Sequence, residues 1–291
     1  MRYLITHETV LTYPLPVREH HIELRLTPRE SDFLRLVSRT VVTDPAAPLA
    51  GYTDCFGNRV EHFSIAAPHT RLATTVTMEV ENNLANPFDF TQIPPAEQRG
   101  WWKQVLKETP ALHDFVLHRS RITPDALKIA RELSVAFPRF EQEKPVIDVL
   151  IELMAWVPTV LAYQSGTTDV HTDLLVAVKQ GAGVCQDFAH LFIAVVRSWG
   201  VPARYVMGYH FPCDADPTEP ADPLATHAWA EVLVPGGGWI GFDAVHNLVV
   251  NHCYVPVAVG RDSYDAAPQR GSFKGDEAGE QPVVTIAMTR L

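Results

Sequence analysis

One cysteine, one histidine and one aspartate in this chain are placed in a way that suits nucleophilic chemistry. Cys185 follows the turn at 181–183 and opens an apolar helical stripe. A thiol at the amino end of a helix meets unpaired backbone N–H groups and the positive end of the helix dipole. Both favour the thiolate, which is the reactive form. The structural alternative is a small buried core thiol.

His227 and Asp243 are expected at the same end of two neighbouring strands. His227 begins a predicted strand, Asp243 ends the next one, and the Pro-Gly-Gly segment at 235–237 between them is typical of a hairpin. A catalytic base must reach its nucleophile and be held in one tautomer by a third group. The sequence therefore predicts Cys185 as nucleophile, His227 as base and Asp243 as the orienting carboxylate.

Other side chains near these motifs have both a chemical and a structural interpretation. Asp187 lies in the first helical turn, where capping is at least as good an explanation as substrate contact. Tyr163 and Gln164 are weaker candidates for donors to an oxyanion. Packing or pairing inside the core is the expected role of a further set, namely Trp229, Trp239, Arg204 and His190.

Metal or phosphate chemistry is a less favoured interpretation, and no cofactor is expected. Possible metal ligands are scattered in the last third of the chain: His210, Cys213, His246, His252 and Cys253. They show no CxxC, HxxxH or HExxH spacing. The glycines at 181–183 lack the Lys-Ser/Thr of a phosphate loop. A metal-dependent hydrolase nevertheless stays an alternative.

Composition narrows the class of protein. The 291 residues are 46% hydrophobic and carry a net charge of −10, which argues against binding to nucleic acid or to an anionic membrane surface. No run of about 18 apolar residues predicts a membrane span, and the first residues do not resemble a secretion signal. The four widely spaced cysteines are then expected to be free thiols of a cytoplasmic protein.

The hydrophobic period changes along the chain and predicts an α+β fold. Residues 1–83 have the alternation and turn signals of a small antiparallel β-sandwich or barrel, and residues 84–291 form the second predicted domain. Within that domain the helices are expected at Trp101–Trp102, 124–137, 146–157, 173–180 with Thr172 as N-cap, and from Cys185 to Trp199. Strands follow at 203–211, 227–234, 238–244, 255–260 and 283–288, with loops at 212–224 and 261–282.

These motifs together resemble the transglutaminase-like superfamily. The resemblance is carried by the segments at 183–190, 197–209, 226–231 and 239–243, and the bacterial branch has counterparts of 54–60 and 257–262. It implies a papain-like core, with helices packed on an antiparallel sheet, preceded by a small β domain. One departure is Asp243-Ala244-Val245, where the family often has Asp-Pro-Thr.

The resemblance implies acyl transfer through a thioester on Cys185, with His227 acting first as base and then as acid. The expected activity is that of a cysteine peptidase or amidase acting on a protein or peptide substrate. A protein-glutamine amine transferase uses the same triad and is the alternative. A non-catalytic binding module that retains the fold is a third possibility. The sequence carries no signal for the oligomeric state.

Overall fold

The computed structural model describes residues 1–117, 128–129, 138–140, 143–170, 172–213, 225–276 and 279–291. Most of the predicted helix at 124–137 and most of the predicted loop at 212–224 lie outside these residues. The described part confirms the α+β class, with two antiparallel sheets and helices packed on the second. None of its helices is long and apolar enough to cross a membrane.

The secondary structure elements are numbered here in chain order. The strands are β1 (Arg2–Leu24), β2 (Leu34–Asp44), β3 (Ala50–Thr53), β4 (Arg59–Ile65), β5 (His69–Asn82), β6 (Ala162–Tyr163), β7 (Ala182–Gly183), β8 (Ala203–His210), β9 (His227–Val234), β10 (Gly238–Asp243), β11 (Leu248–Val249), β12 (Tyr254–Gly260), β13 (Gln269–Lys274) and β14 (Val283–Arg290). The helices are α1 (Pro95–Glu108), α2 (Val146–Trp156), α3 (Leu174–Gln180) and α4 (Cys185–Ser198), with 3₁₀ turns at Pro110–Phe115 and Val157–Thr159.

The long strand β1 holds the N-terminal β region together. Its first half pairs with β5 and β14, and its second half pairs with β4 and β13. Two strands from the end of the chain thus complete a sheet that begins at residue 2. The segment at 261–282, predicted to be loop, contains β13, whose sequence Gln-Arg-Gly-Ser-Phe-Lys has little apolar alternation. The boundary near residue 83 stays a prediction, but the β region is not confined to residues 1–83.

Helix α4 packs on the second sheet, whose order is β11-β10-β9-β8-β12. Alternate residues of β9 are buried in the main core, and Phe192 of α4 stacks on Phe242 of β10 with ring centroids 5.5 Å apart. Arg197 fixes the other end of α4, since its buried guanidinium donates to the main-chain carbonyls of Phe115, Ala203 and Arg261. These contacts fix α4 against the sheet, with its first residue near one end of the strands.

The N-cap of α3 is Asp173, so the prediction of Thr172 was wrong by one residue. The Asp173 carboxylate accepts from the Leu175 N–H at 2.8 Å. The Thr172 hydroxyl instead accepts a hydrogen bond from the Asp169 N–H and donates one to the Asp169 carboxylate. The predicted stop at Gly181 is confirmed, with φ of 70° in the left-handed region that glycine adopts without strain.

Two of the four cysteines form a disulfide, which corrects the expectation of four free thiols. Strands β8 and β12 are antiparallel neighbours, and His210 lies opposite Tyr254. The residues just beyond that pair, Cys213 and Cys253, have Cα atoms 6.0 Å apart and are bonded. Cys55 and Cys185 are free. A separation of 40 residues gave no hint of this pairing, which depends on strand register.

Replacing both Cys213 and Cys253 by serine is expected to lower the free energy of unfolding by about 2–4 kcal/mol, because the crosslink restricts the unfolded chain. Urea denaturation of the variant and the oxidised wild type measures the difference. Cys55→Ser is the control and should leave the midpoint unchanged. Equal midpoints for the double variant and the oxidised wild type would contradict the assigned crosslink.

A buried pair of histidines in the β region makes the fold sensitive to acid. His69 Nδ1 bonds the carbonyl of Ala67 at 2.9 Å, so this nitrogen is the donor, and His69 Nε2 lies 3.1 Å from His20 Nδ1. His20 Nε2 then accepts from the Tyr13 hydroxyl. Burial, with the charges of neighbouring histidines, lowers the pKa of His20 to about 4. His20 is therefore neutral in the folded protein near neutral pH.

The free energy of unfolding should fall as the pH is lowered from 6.5 toward 4, because the unfolded chain then binds a proton that folded His20 refuses. We expect the wild type to lose about 1 kcal/mol more than His20→Gln between pH 7 and pH 5. Glutamine keeps one donor and one acceptor there but does not titrate. Denaturation curves at several pH values give the two slopes, and parallel slopes would refute the role of His20.

Candidate active site

Cys185 is the first residue of α4, and the turn before it is shaped by glycine and aspartate. The Asp187 carboxylate accepts from the N–H of the N-cap residue Val184 at 2.8 Å. Gly183 lies so close to that carboxylate that a Cβ would meet Asp187 Oδ2 at 2.7 Å. A side chain at 183 would thus push away the cap that orients the start of α4. Cys185 itself is only partly buried, so solvent reaches this end of the helix.

Asp187 has a structural role here, as the capping interpretation predicted. It is fully buried, and it also accepts from the hydroxyl of Thr168. Burial raises the pKa of Asp187, against the hydrogen bonds from Thr168 and Val184. Gln186 donates to the carbonyl of Asp169. The first turn of α4 is thereby tied to the segment at 168–169.

The structure brings together the three side chains that the sequence predicts. Strands β9 and β10 pair antiparallel, which places His227 and Asp243 at the same end of the sheet. His227 Nε2 lies 2.7 Å from Asp243 Oδ2. Cys185 lies close enough to His227 to raise the pKa of the imidazole, and Nδ1 is the ring nitrogen that Asp243 leaves free. The thiol, the imidazole and the carboxylate are thus neighbours at one end of the sheet.

Asp243 is the centre of a larger network than the sequence indicated. Its side chain is fully buried, and Oδ2 accepts from His227, from His246 Nδ1 at 2.7 Å and from the Tyr254 hydroxyl at 2.8 Å. The other oxygen accepts from the Val245 N–H at 2.9 Å. The Ala-Val that replaces the common Pro-Thr therefore still closes a turn on the carboxylate.

This network sets the charge states of the pair. Burial lowers the pKa of His227, but its bonds to Asp243 and Cys185 and their charges outweigh burial and raise the pKa to about 10. Burial also opposes the ionisation of Asp243, yet the bonds from His227 and His246 hold its pKa well below the usual range. Burial and the charge of Asp243 raise the pKa of Tyr254. His227 is therefore an imidazolium ion that is paired with the Asp243 carboxylate.

His246 and Tyr254 were not predicted as partners of Asp243. His246 was considered only as a metal ligand, although its position three residues after Asp243 in a turn is a usable signal. Tyr254 comes from β12, at the other end of the sheet order, so only the assembled sheet shows it. His210 stacks on Tyr254 with centroids 4.4 Å apart, and burial lowers its pKa to about 4. His210 therefore places a neutral imidazole beside the charged imidazolium of His227.

The other candidate residues have the structural roles that were favoured. Trp229 is buried in a small cluster behind the sheet, while the guanidinium of Arg204 lies 4.1 Å from the Trp239 ring centroid and pairs with Glu231. His190 is buried and accepts from the Ser263 N–H at 3.1 Å. Tyr163 and Gln164 lie on the exposed edge at β6, where the Gln164 N–H bonds the Gly183 carbonyl.

Two groups of side chains have the proximity that a metal ion needs among the described residues. One is Cys213, His252 and Cys253, in which the disulfide uses both sulfur atoms. The other is His227, Asp243 and His246, in which the facing atoms already hydrogen-bond one another. The disulfide thus takes two of the three ligands of the first group and hydrogen bonds engage the second, so the geometry favours the acid–base interpretation over a metal centre.

Comparison with known proteins agrees with this geometry. A model described as the transglutaminase-like superfamily matches residues 135–244, and one for the bacterial transglutaminase-like N-terminal region matches residues 3–81. An uncharacterized protein of Mycobacterium leprae is 33% identical over 100% of this chain and 99% of its own length. One from Mycobacterium tuberculosis is 32% identical over 93% and 87%.

Among solved structures, a proposed cysteine protease from Cytophaga hutchinsonii superposes with a TM-score of 0.72 and 22% identity, over 100% of this chain and 91% of that one. At this identity the likeness shows the shared fold. The regions matched by the two family models contain the start of α4, the strands β8 to β10 and most of β1 with its partners β4 and β5. The chain belongs to the transglutaminase-like superfamily and carries its bacterial N-terminal region.

Proposed function

We propose that the protein is a cysteine-nucleophile enzyme that cleaves amide bonds in a protein or peptide substrate through a thioester on Cys185. The position of His227 between Cys185 and buried Asp243, with its pKa raised by both and its Nε2 bonded to Asp243 at 2.7 Å, is the observation that carries this proposal. Family membership supports the general class of chemistry. The choice of hydrolysis over transfer follows from water being the acceptor that is always present.

In the acylation step, the Cys185 sulfur attacks the amide carbonyl carbon and a C–S bond forms as the π electrons move to oxygen. In this proposal, backbone N–H groups at the start of α4, that of Cys185 among them, stabilise the oxyanion. His227 then gives its proton to the nitrogen, the C–N bond breaks and the amine leaves. A histidine whose pKa is raised to about 10 carries that proton across the neutral range.

In the deacylation step, His227 accepts a proton from water while the oxygen attacks the thioester carbonyl. The C–S bond breaks, the carboxylic acid leaves, and the thiolate and imidazolium are restored. Asp243 keeps one ring nitrogen protonated throughout, which fixes the tautomer that faces the sulfur. A primary amine that replaces water at this step gives transamidation instead.

A glutamine-containing peptide incubated with a labelled primary amine separates the two outcomes. Mass spectrometry distinguishes backbone cleavage, conversion of glutamine to glutamate, and incorporation of the amine. We expect hydrolytic products to dominate, and Cys185→Ala to give none of the three. Incorporation in excess of hydrolysis would replace peptidase or amidase with amine transferase.

A peptide library of mixed sequence is the companion measurement, because it samples many side chains on both sides of the amide bond. Turnover of no peptide or amide, by a protein that nevertheless shows an activated Cys185, would contradict a peptide substrate. Failure of Cys185 to react as an activated thiol would contradict the enzyme proposal itself.

A further inference from the structure

One oxygen of Asp243 receives three hydrogen bonds, and one of the three donors is a fully buried tyrosine. The donors to Oδ2 are His227 Nε2 and His246 Nδ1, both at 2.7 Å, and the Tyr254 hydroxyl at 2.8 Å. The side chains of the two histidines are 12% and 41% exposed, whereas Tyr254 is 0% exposed. A carboxylate oxygen has about two lone-pair directions, so three donors compete for them. Tyr254 therefore draws on negative charge that would otherwise stabilise the imidazoles.

The Tyr254 hydroxyl is a constant donor with a fixed direction. Burial and the negative charge of Asp243 both raise the pKa of Tyr254, so the hydroxyl keeps its proton well into the alkaline range. The ring stacks on His210 with centroids 4.4 Å apart and meets the Trp229 ring at 5.3 Å in an edge contact. The main-chain carbonyl of Tyr254 accepts from the Asn82 amide at 2.7 Å. These contacts aim the O–H bond at the carboxylate.

The disulfide closes the end of the β8–β12 ladder at which Tyr254 lies. Strand β8 ends at His210 and β12 begins at Tyr254, and the terminal pair of a ladder opens most easily. Cys253 directly precedes Tyr254, Cys213 lies three residues after His210, and their sulfur atoms are bonded just beyond this last pair. The Phe211 N–H also donates to the Cys253 carbonyl at 2.8 Å. The crosslink therefore keeps the Tyr254 ring in its place.

We propose that Tyr254 is a positioning residue of the triad: its hydroxyl orients Asp243 and limits how strongly this carboxylate stabilises the imidazolium of His227, while the disulfide holds Tyr254 in place. A general acid that is stabilised too strongly gives up its proton slowly. A neutral donor on the carboxylate therefore favours the step in which His227 protonates the leaving amine. Tyr254 acts through Asp243 and needs no contact with the substrate. This inference rests on the proposed function.

Tyr254→Phe removes the hydroxyl and keeps the ring. With one donor fewer on Asp243, the pKa of His227 should rise above its wild-type value of about 10, opposite to the shift that loss of the carboxylate charge would cause. Imidazole ¹⁵N shifts, assigned with His227→Gln, should show a larger imidazolium fraction at pH 10 than in the wild type. The other titratable side chains that face this pair in the described residues are Cys185, His210 and His246. Tyr254→Phe leaves all three in the chain.

Kinetics with an amide substrate give the second readout. Tyr254→Phe should lower kcat by about tenfold and leave KM within about twofold, because the lost hydrogen bond acts on proton delivery and not on substrate binding. Reaction of Cys185 with iodoacetamide at pH 6 should persist, since the imidazolium of His227 is intact there. A wild type that turns over no amide would count against the proposed function, and the titration of His227 would still decide the role of Tyr254.

Tyr209→Phe is the matched control, because it removes the same atom from a similar site. Tyr209 belongs to the neighbouring strand β8, is buried, and has its hydroxyl 2.9 Å from Nδ1 of His7 in the N-terminal β region. The control should lose stability to a similar extent and keep both the wild-type titration of His227 and the wild-type kcat. An equal shift of His227 in both variants would mean general loosening of the core and would overturn the role of Tyr254.

A double-mutant cycle tests the contribution of the disulfide. Replacing Cys213 and Cys253 by serine should shift both readouts in the direction of Tyr254→Phe, and Tyr254→Phe should then have a smaller effect than in the oxidised wild type. Reduction by a dithiol, which gives two electrons and two protons to the sulfur atoms and becomes a cyclic disulfide, should reproduce the double-serine protein. Additive effects would show that the crosslink does not act through Tyr254. An unchanged or lowered pKa of His227 in Tyr254→Phe would overturn the positioning role itself.

Discussion

Replacing Cys185 by alanine is expected to abolish both turnover and reaction with iodoacetamide at pH 6, with a loss of about 10⁴-fold or more in kcat/KM. The physical reason is the position of the sulfur, which begins α4 and lies beside an imidazole that stays protonated well above neutral pH. A thiol without such a partner is mostly protonated at pH 6 and reacts slowly.

Cys55 provides a matched control within the same chain, because it is the other free cysteine and it is exposed. Cys55→Ser should retain the fast-reacting thiol and full turnover. The label is located by mass mapping after a brief exposure at pH 6, on protein with its disulfide intact. Equal labelling of the wild type and Cys185→Ala would show that the sulfur at the start of α4 is not activated.

The local order around the nucleophile was predictable because it depends on short-range signals. The glycine turn, the apolar stripe of α4 and the Pro-Gly-Gly connection each specify geometry within a few residues, and the structure has all of them. The pairing of β9 with β10 then follows from chain order alone. This is why His227 and Asp243 could be assigned to one end of a sheet from the sequence.

Long-range pairings explain what the sequence did not show. The bond between Cys213 and Cys253 and the contact of Tyr254 with Asp243 both depend on β12 lying beside β8, across a gap of more than 40 residues. The strand β13 is polar and exposed on one side, so it becomes a strand only through its partner β1. Long-range contacts determine these features, and the local sequence patterns do not predict them.

Asp243→Asn is expected to lower kcat/KM by about 10³-fold or more, although it changes only one atom. The neutral amide of asparagine cannot stabilise the charged form of His227. In the wild type, Oδ2 accepts three hydrogen bonds, and an NH₂ group at that position is itself a donor and cannot accept them. The pKa of His227 should then fall from about 10 toward its ordinary value of 6.5. The imidazolium would be lost above neutral pH, and the alkaline limb of the kcat/KM profile would shift to lower pH by the same cause.

Stability should fall as well, by about 3–5 kcal/mol, because breaking a buried ion pair leaves charged and polar partners uncompensated. Kinetics are therefore measured well below the unfolding temperature of the variant, so that loss of folded protein does not imitate loss of catalysis. The shift of the alkaline limb is the decisive readout, since a merely unstable enzyme would keep the wild-type profile at reduced amplitude.

His246→Gln is the matched control for Asp243→Asn. The histidine donates to the same oxygen, but its side chain is 41% exposed, and glutamine still offers an N–H donor. A loss of about tenfold or less is expected, with the alkaline limb of the profile in place. If His246→Gln instead matched Asp243→Asn in both size and profile, the base would be His246 or the pair acting together, and the assignment of His227 would have to be given up.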